Sequence, residues 1–364
     1  MQEKIRSFLV INPFGIGDVL FSTPLLRNIK DNYPESEIYY LCNKKTGPVI
    51  KNNPLIKKAF IYERDDFVNA QKRSWFAWFK KFNGFISEIR KEDIDVCLDL
   101  SLNSQYAFFA MMAGIRKRYG LDYKGRGVFL SRKVRIPGFV DKHVADYYLD
   151  VLRFIGITPK KTALEVFADA QSRAWADAFM TTHNIAADAV VVGIAPCGGD
   201  AFGKDAGIKR WPAIKFAELI DRLTGEFKAK VFIFAGPKEK EDLAEITDSL
   251  KIRNGVYEFS DATLAETIAL VDKCRVFIGN DTGPLRFADG LRKKLVAIFG
   301  PVDENVYGPY PFEADRTAVI KKDMPCRPCY NKFRLSACKN ERRCMNDISV
   351  DTVTQAVKRL LTEK

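Results

Sequence analysis

The chain has 364 residues, enough for two domains with full cores, and its 47% hydrophobic and 29% charged residues are ordinary for a soluble globular protein. No apolar run approaches the core of a signal peptide or the length of a membrane span, so we expect a cytosolic protein. The formal charge of +12 is high and indicates an anionic partner, such as nucleic acid, an anionic membrane or a phosphorylated substrate.

The first predicted strand, residues 8–11, runs into a glycine-containing turn and then a helix. Gly17 permits a tight turn with exposed backbone, and Asp18 stands at the start of the helix. The dinucleotide fingerprint G-x-G-x-x-G is not met, because Leu20 occupies the place of its third glycine. The second predicted strand, residues 38–41, carries no acidic residue at its end to hold a ribose. A nicotinamide-binding domain is therefore disfavoured.

Two further strands are predicted at residues 59–62 and 95–100, and a helical pattern lies between them. Its aromatic residues stand beside basic ones: Trp75, Phe76, Trp78, Phe79 and Phe82 with Arg73, Lys80 and Lys81. The favoured interpretation is a core-packing helix with a solvated basic face. The alternative is a helix that meets a membrane interface or an anionic lipid, where aromatic and basic residues act together.

Basic residues crowd the next segment, which contains Arg116, Lys117, Arg118, Lys124, Arg126, Arg132, Lys133 and Arg135. We expect Gly120, Gly125 and Gly127 to loosen this segment and most of its charges to be solvated. Their density nevertheless makes it the best candidate for binding an acceptor. His143, at the head of the following helix, is interpreted as a capping or packing group.

The segment from Thr158 to Glu165 is the predicted domain boundary. Beyond it, strands alternate with helices, at residues 189–195, 230–235, 256–259, 275–279 and 295–299. Such alternation predicts a parallel sheet with helices on both faces. The fold class is therefore α/β, with two doubly wound domains facing each other across a cleft. The N-terminal domain is predicted at 1–165 and the C-terminal domain at 166–348. A C-terminal helix follows at 349–364, and one interpretation is that it packs back on the N-terminal domain.

Two strand-to-helix turns of the second domain are candidates for binding a nucleotide. After the first strand, Gly198 leaves the backbone open and Lys209 follows, a combination that suits a diphosphate as well as it suits a mobile surface loop. After the next strand, Glu239 or Glu241 could accept hydrogen bonds from ribose hydroxyls. The alternative is that these glutamates only oppose the helix dipole.

A third turn, between the strand at 275–279 and the next helix, contains Asp281, Thr282, Gly283 and Pro284. Thr282 suits the N-cap and Pro284 the first turn of the helix. Such a unit points the free N–H groups of a helix N-terminus at the open edge of the sheet, where an anion can sit. A purely structural connection with a capped helix is the equally weighted alternative.

The tail carries cysteines with the spacing C-x2-C-x8-C-x5-C, at Cys326, Cys329, Cys338 and Cys344. The leading C-x2-C resembles half of a zinc ribbon, so a structural metal site is one interpretation and plain reduced thiols the other. The sequence contains two histidines, His143 and His183, which argues against a histidine-rich metal centre.

Taken together, these motifs resemble the ADP-heptose:lipopolysaccharide heptosyltransferases, glycosyltransferase family 9. The resemblance covers nearly the whole chain, and its motifs occur in order: GIGDVLFSTPLL, KRWP, FAGPKEKE, GNDTGPLRFADGL with LVAIFGP, and a tail with CRPC. It implies a glycosyltransferase B-type fold with the active site between two Rossmann-like domains. It also implies metal-independent, inverting transfer of heptose from ADP-heptose to a lipid-linked core oligosaccharide.

The resemblance also implies roles for individual residues. Asp18 matches the proposed general base, Lys209 the lysine that contacts the diphosphate, and Glu239 the acidic residue that binds the adenosine ribose. The donor is further expected on Asp281, Thr282, Gly283, Pro284 and Gly198, and the acceptor on Gly17, Arg73, Arg116 and Arg118. The anionic acceptor implies an enzyme that is cytoplasmic and peripheral to the inner membrane, and it accounts for the +12 charge.

One position departs from the family pattern, because Arg286 stands where a histidine is common. The change points to local tuning near the phosphates or to a different sugar or acceptor. Another nucleotide sugar, a protein acceptor or a non-catalytic relative of the same fold therefore remain alternatives. A nucleic-acid-binding protein would share the positive charge, but no recognised nucleic-acid motif is present, and we expect no nucleic-acid partner.

Overall fold

The computed structural model describes residues 5–199 and 203–362 and divides the chain into two units, Met1–Thr162 and Ala163–Lys364. The division falls a few residues before the boundary expected after residue 165. Among the described helices, none combines the length and the apolar composition that crossing a membrane requires.

The described part of the N-terminal unit contains a parallel sheet of six strands in the order β3-β2-β1-β4-β5-β6. Its strands are β1 Ser7–Ile11, β2 Glu37–Cys42, β3 Lys58–Ile61, β4 Val96–Asp99, β5 Lys117–Tyr123 and β6 Arg132–Ile136. Its helices are α1 Ile16–Phe21, α2 Thr23–Asn32, α3 Gly47–Lys51, α4 Arg64–Arg73, α5 Trp75–Arg90, α6 Ser104–Met112 and α7 Val144–Asp150, with a 3₁₀ turn at Val151–Ile155. The first four strands confirm the sequence prediction.

Strands β5 and β6 come from the basic segment that we expected to be loose. Gly120 shows why the expectation was wrong, since a Cβ atom there would lie 2.2 Å from the carbonyl oxygen of Asp99 on β4. The glycine lets two neighbouring strands approach closely, and β5 pairs in parallel with β4 on one side and β6 on the other. The charged residues along β5 and β6 hid the apolar alternation.

The described part of the C-terminal unit contains a second parallel sheet of six strands, in the order β12-β11-β10-β7-β8-β9. Its strands are β7 Val191–Ala195, β8 Lys230–Phe234, β9 Val256–Phe259, β10 Val276–Asn280, β11 Lys294–Phe299 and β12 Thr317–Lys321. The first five confirm the predicted series, and β12 was not predicted. The tail adds a hairpin of two short strands, β13 Tyr330–Asn331 and β14 Arg334–Leu335.

Helices cover both faces of the second sheet. They are α8 Ala170–Thr182, α9 Ala213–Gly225, α10 Lys240–Thr247, α11 Leu264–Lys273, α12 Gly283–Gly290, α13 Glu304–Tyr307, α14 Arg343–Asn346 and α15 Val350–Thr362, with a 3₁₀ helix at Gly203–Lys209. Residues 200–202 of the glycine-rich turn after β7 lie outside the described part of the chain.

The two sheets share one topology. Numbered within its own unit, each has the strand order 3-2-1-4-5-6, and the order reverses between β1 and β4 in the first unit and between β7 and β10 in the second. Open α/β sheets bind ligands outside the carboxyl ends of their strands at this reversal point. The expectation of two doubly wound, Rossmann-like domains is confirmed, and the topology points to one candidate edge in each.

Helix α15 belongs to the core of the C-terminal unit. Val353, Val357 and Leu360 on its apolar face are fully buried, and they pack in one cluster with α9, β10 and β11. The helix that the sequence analysis set apart at 349–364 therefore packs its apolar face within the C-terminal unit.

Replacing Leu360 with alanine should expose the dependence of this unit on α15. The substitution removes buried apolar atoms and leaves a cavity, so we expect the free energy of unfolding in urea to fall by about 2–5 kcal/mol. Lys358→Ala, on the exposed face of the same helix, is the matched control and should stay within about 0.5 kcal/mol of the wild type. A Leu360→Ala protein as stable as the wild type would show that α15 is not held in this core.

Candidate active site

A buried asparagine joins the strand ends at the reversal point of the C-terminal unit. The Asn280 side chain donates to the carbonyl oxygen of Pro196, at 2.5 Å, and accepts a hydrogen bond from the backbone N–H of Trp211, at 3.2 Å. The Trp211 ring is itself buried, and its Nε1 donates to the carbonyl oxygen of Ile348, at 3.1 Å. Asn280 thus fixes the chain directly after Lys209 against the carboxyl end of β10.

Two buried cations share one carboxylate at this edge. The Lys209 ammonium lies 3.0 Å from Oδ2 of Asp281 and 3.2 Å from its carbonyl oxygen. Arg286, also buried, donates to Oδ1 of Asp281 and to the carbonyl oxygen of Tyr307. Two positive side chains and one negative side chain meet here, a combination that suits an anionic ligand.

The pKa of the Asp281 carboxyl depends on two opposing effects, its burial and its two cationic neighbours. Burial alone would raise that pKa, but the charges of Lys209 and Arg286, and the hydrogen bonds that both donate, hold it below its usual value. Asp281 is therefore ionised at neutral pH and keeps both cations in place.

The helix that follows Asp281 adds its N-terminus to the cluster. Thr282 is the N-cap of α12, as the sequence predicted, and Gly283 and Pro284 form its first turn. The Thr282 side chain makes no capping bond, and its buried Oγ1 has no hydrogen-bond partner among the described residues. A hydroxyl at a helix N-terminus beside buried cations is a favourable place for a phosphate.

The glycine-rich turns after β7 and β8 meet on a glutamate. Oε1 of Glu239 accepts from the backbone N–H of Gly199, at 2.8 Å, and Oε2 accepts from that of Gly236, at 2.7 Å. Each carboxylate oxygen keeps a second lone pair for a further donor such as a ribose hydroxyl. Gly198 is required in the first turn, since a Cβ atom there would lie 2.5 Å from the carbonyl oxygen of Ala206.

Carboxylates occupy the reversal point of the N-terminal unit. Asp18 lies partly exposed in the first turn of α1, two residues after the N1 position, and its carbonyl oxygen accepts from the side chain of buried Asn12, at 2.9 Å. Half-buried Gly17 precedes it in the same turn. Asp99 ends β4, the strand next to β1, and pairs in register with Ile11.

Asp99 is a residue that the sequence analysis did not single out. Its side chain is buried and accepts from the backbone N–H of Ser101, at 2.8 Å. Burial raises the pKa of this carboxyl to about 6, although hydrogen bonds from Ser101 and from the backbone of Ala107 lower it in part. The signal in the sequence was an acidic residue at the end of an apolar run, DVCLDL, next to the strand that carries the Asp18 turn.

The expected acceptor residues are dispersed. Arg116 and Arg118 lie at the amino end of β5, whereas Asp18 follows the carboxyl end of β1 in the same parallel sheet. The Arg118 guanidinium donates to the carbonyl oxygens of Ile115 and Phe129, at 2.6 and 2.7 Å, which gives it a structural task. These placements argue against an acceptor role for the two arginines. Arg73 is exposed at the end of α4.

Other basic residues of the same segment do lie at the carboxyl edge of the first sheet. Lys124 and Arg126 are exposed on the loop that follows β5. Sequence spacing could not separate them from Arg116 and Arg118, because the register of β5 decides which charges reach this edge.

The four tail cysteines differ in exposure. Cys326 and Cys338 are exposed, Cys329 is half-buried and Cys344 is buried. Burial, and to a smaller extent the neighbouring cysteines, raise the pKa of the Cys329 and Cys344 thiols. Across residues 5–199 and 203–362, no group of three or more His, Cys, Asp or Glu side chains is arranged to hold a metal ion. The metal site stays a prediction.

Comparisons with known proteins agree on one family. Residues 83–339 match the family model described as glycosyltransferase family 9 (heptosyltransferase). Lipopolysaccharide heptosyltransferase 3 of Escherichia coli is 24% identical over 301 residues, covering 81% of this chain and 83% of that protein.

Solved structures show the same fold. A glycosyl transferase family 9 protein from Veillonella parvula superposes with a TM-score of 0.83 at 23% identity, covering 100% of this chain and 99% of the other. The ADP-heptose lps heptosyltransferase II of E. coli gives a TM-score of 0.75 at 20% identity, covering 98% of each chain.

Because the pKa of Asp99 is raised, we expect the free energy of unfolding to depend on pH. Since the folded pKa, about 6, exceeds the unfolded value of about 3.9, the folded state binds the proton more tightly, and stability falls as pH rises through this window. Asp99→Asn removes the effect, so we expect the variant to exceed the wild type by up to about 3 kcal/mol at pH 7. The difference should vanish below about pH 4.

Denaturant unfolding at several pH values measures this difference. Asp31→Asn, at an exposed position of the same unit, is the matched control and should change stability equally little at every pH. A stability difference between Asp99→Asn and the wild type that did not depend on pH would contradict a raised pKa for Asp99.

Proposed function

The chain belongs to glycosyltransferase family 9, the heptosyltransferases, and on this premise we propose that it transfers heptose from ADP-heptose to a hydroxyl of a lipopolysaccharide inner-core acceptor. Asp18 acts as the general base, and the transfer inverts the anomeric carbon. The observation that carries the proposal is the cluster of Lys209, Asp281 and Arg286 at the N-terminus of α12, which suits a sugar diphosphate.

The donor half of the proposal rests on charge. When the glycosidic bond to ADP breaks, negative charge grows on the β-phosphate, and fixed positive groups aimed at that charge stabilise the transition state. Lys209 and the first N–H groups of α12 supply such groups, with Thr282 as an additional donor. Glu239 is proposed to accept from the adenosine ribose while it holds the two glycine turns together.

Arg286 supports this half although it departs from the family pattern. It does not replace a histidine as a neutral donor but holds the far oxygen of Asp281 and the carbonyl oxygen of Tyr307. The cation on Asp281 makes the region around α12 more positive than a histidine would. We propose that this charge tunes the phosphate site and leaves the reaction unchanged.

The acceptor half rests on Asp18. A hydroxyl that attacks an anomeric carbon must lose its proton, and a carboxylate within reach provides general base catalysis. A single displacement of this kind inverts the configuration. The residues described at the two reversal points supply the base and the phosphate site, and no step of this mechanism calls for a metal.

The location of the reaction follows from the acceptor. A lipid-linked core oligosaccharide is anchored in a membrane and carries negative charge, which the net charge of +12 complements. We propose that the enzyme works in the cytoplasm, on the periphery of the inner membrane.

Asp18→Asn should separate catalysis from donor binding. We expect the rate of heptose transfer to fall by about 10²–10⁴-fold, because the neutral amide cannot take the proton, while ADP affinity measured by calorimetry stays unchanged. Asp31→Asn, at an exposed position of the same unit, should keep the wild-type rate. Near-normal turnover by the Asp18 variant would exclude this residue as the base.

Lys209→Met tests the phosphate site. Loss of a charge-assisted hydrogen bond should weaken ADP binding by about 10- to 150-fold, and the matched Lys251→Met at an exposed position should leave it unchanged. The wild type should prefer ADP to UDP and GDP in the same calorimetric titrations. A preference for UDP or GDP would keep the fold and the mechanism but exclude ADP-heptose as the donor.

A further inference from the structure

The helical hairpin of α4 and α5 has a composition unlike the rest of the N-terminal unit. From Phe67 to Ser87 the chain contains no acidic residue, while it contains four basic residues and seven aromatic ones. The sequence alone favoured a core helix for this stretch. The structure now separates the aromatic residues that pack in the core from those that do not.

Only the C-terminal half of α5 packs in the core. Phe82, Phe85, Ile86 and Ile89 are buried and contact the sheet and α6, as the core interpretation expected. At the other end of the helix the side chain of Trp75 is 69% exposed, that of Phe76 76% and that of Phe79 56%. For these residues the core interpretation was wrong, because helical periodicity does not reveal where along its length a helix leaves the sheet.

The exposed aromatic residues lie at the tip of the hairpin, where α4 ends and α5 begins. Near its base, Asp66 of α4 pairs with Lys81 of α5, at 3.2 Å. Trp75 lies six residues further out along α5, which is roughly 9 Å at the helical rise. Since α5 leads down into the amino end of β4, its tip lies on the side of the carboxyl edge, the edge from which the Asp18 turn leaves β1.

Acidic and basic residues occupy opposite ends of the hairpin. The acidic residues of α4, Asp65 and Asp66, lie in its first turn at the base of the hairpin. Lys72, Arg73 and Lys80 are exposed at the tip, around the aromatic side chains. We define the hairpin tip as residues 71–80.

We propose that the hairpin tip is a membrane-docking element, which places its aromatic side chains in the headgroup region of an anionic phospholipid bilayer and its basic side chains against the lipid phosphates. Aromatic rings favour this region, and basic residues beside them add attraction to anionic lipids. The proposal rests on the proposed function, because a lipid-linked acceptor lies in such a bilayer. Docking at the tip would present the carboxyl edge that carries Asp18 to the membrane surface.

Vesicle flotation of the full chain tests the tip directly. We expect the wild type to float with vesicles of phosphatidylcholine mixed with phosphatidylglycerol, more weakly as salt rises, and to bind pure phosphatidylcholine poorly. The triple variant W75A/F76A/F79A should lose binding by at least about tenfold. The double variant K72A/K80A should lose on the order of 30-fold on the mixed vesicles.

Matched controls come from the C-terminal unit. I214A/F312A removes apolar side chains that are 64% and 60% exposed, and K251A/K322A removes two exposed lysines. Both control proteins should float like the wild type. A wild type that does not float, or a triple variant that floats as well as the wild type, would overturn the proposal and point to a protein partner for the tip.

A second assay separates docking from catalysis. The triple variant should keep wild-type transfer to a deacylated, water-soluble core acceptor and lose transfer to the same acceptor embedded in vesicles. Equal loss on both acceptors would overturn membrane docking in favour of direct acceptor contact. If the wild type floats but transfers to neither acceptor, the proposed function fails and the docking assignment stands.

Discussion

Asp281 lies between two buried cations, and much of the C-terminal unit depends on this arrangement. A buried ammonium or guanidinium is costly unless a carboxylate pairs with it, and removing one partner from such a group typically costs about 3–5 kcal/mol. Through Lys209 the carboxylate holds the segment after β7, and through Arg286 it holds α12 and the chain at Tyr307. The proposed phosphate site is therefore held in place by the protein itself, an arrangement that lowers the cost of reorganisation during a reaction.

The sequence predicted those features that depend on neighbouring residues. Strands buried on both faces, such as Phe8–Ile11 and Val276–Ile278, are continuous apolar runs, and the N-cap at Thr282 follows from local turn chemistry. The sequence analysis missed features that depend on how strands pair or on contacts between distant parts of the chain. The position of Arg118 relative to Asp18 is decided by how β5 pairs with β4, and the bonds of Glu239 join turns that are about 40 residues apart.

The two units share a strand order but differ in the charge at the reversal point. In the C-terminal unit that point carries Lys209 and Arg286 around Asp281, and in the N-terminal unit it carries the carboxylates of Asp18 and Asp99. Topology alone would predict similar ligands for both. The side chains divide the chemistry instead, since cations suit a departing diphosphate and a carboxylate suits proton removal from a hydroxyl. In the proposed reaction, the same fold therefore serves twice, once for the donor and once for the acceptor.

Of the two carboxylates at the reversal point of the N-terminal unit, Asp18 is the proposed base, and the difference in exposure between the two favours it. Burial raises the pKa of Asp99 to about 6, a value that suits proton transfer near neutral pH, but the same burial shields this carboxyl from a bulky oligosaccharide. Asp18 is partly exposed in the first turn of a helix. Geometry decides before pKa in general base catalysis, because the base must lie within hydrogen-bond reach of the proton it takes. We expect the burial of Asp99, at the strand end next to the Asp18 turn, to make the stability of the N-terminal unit depend on pH.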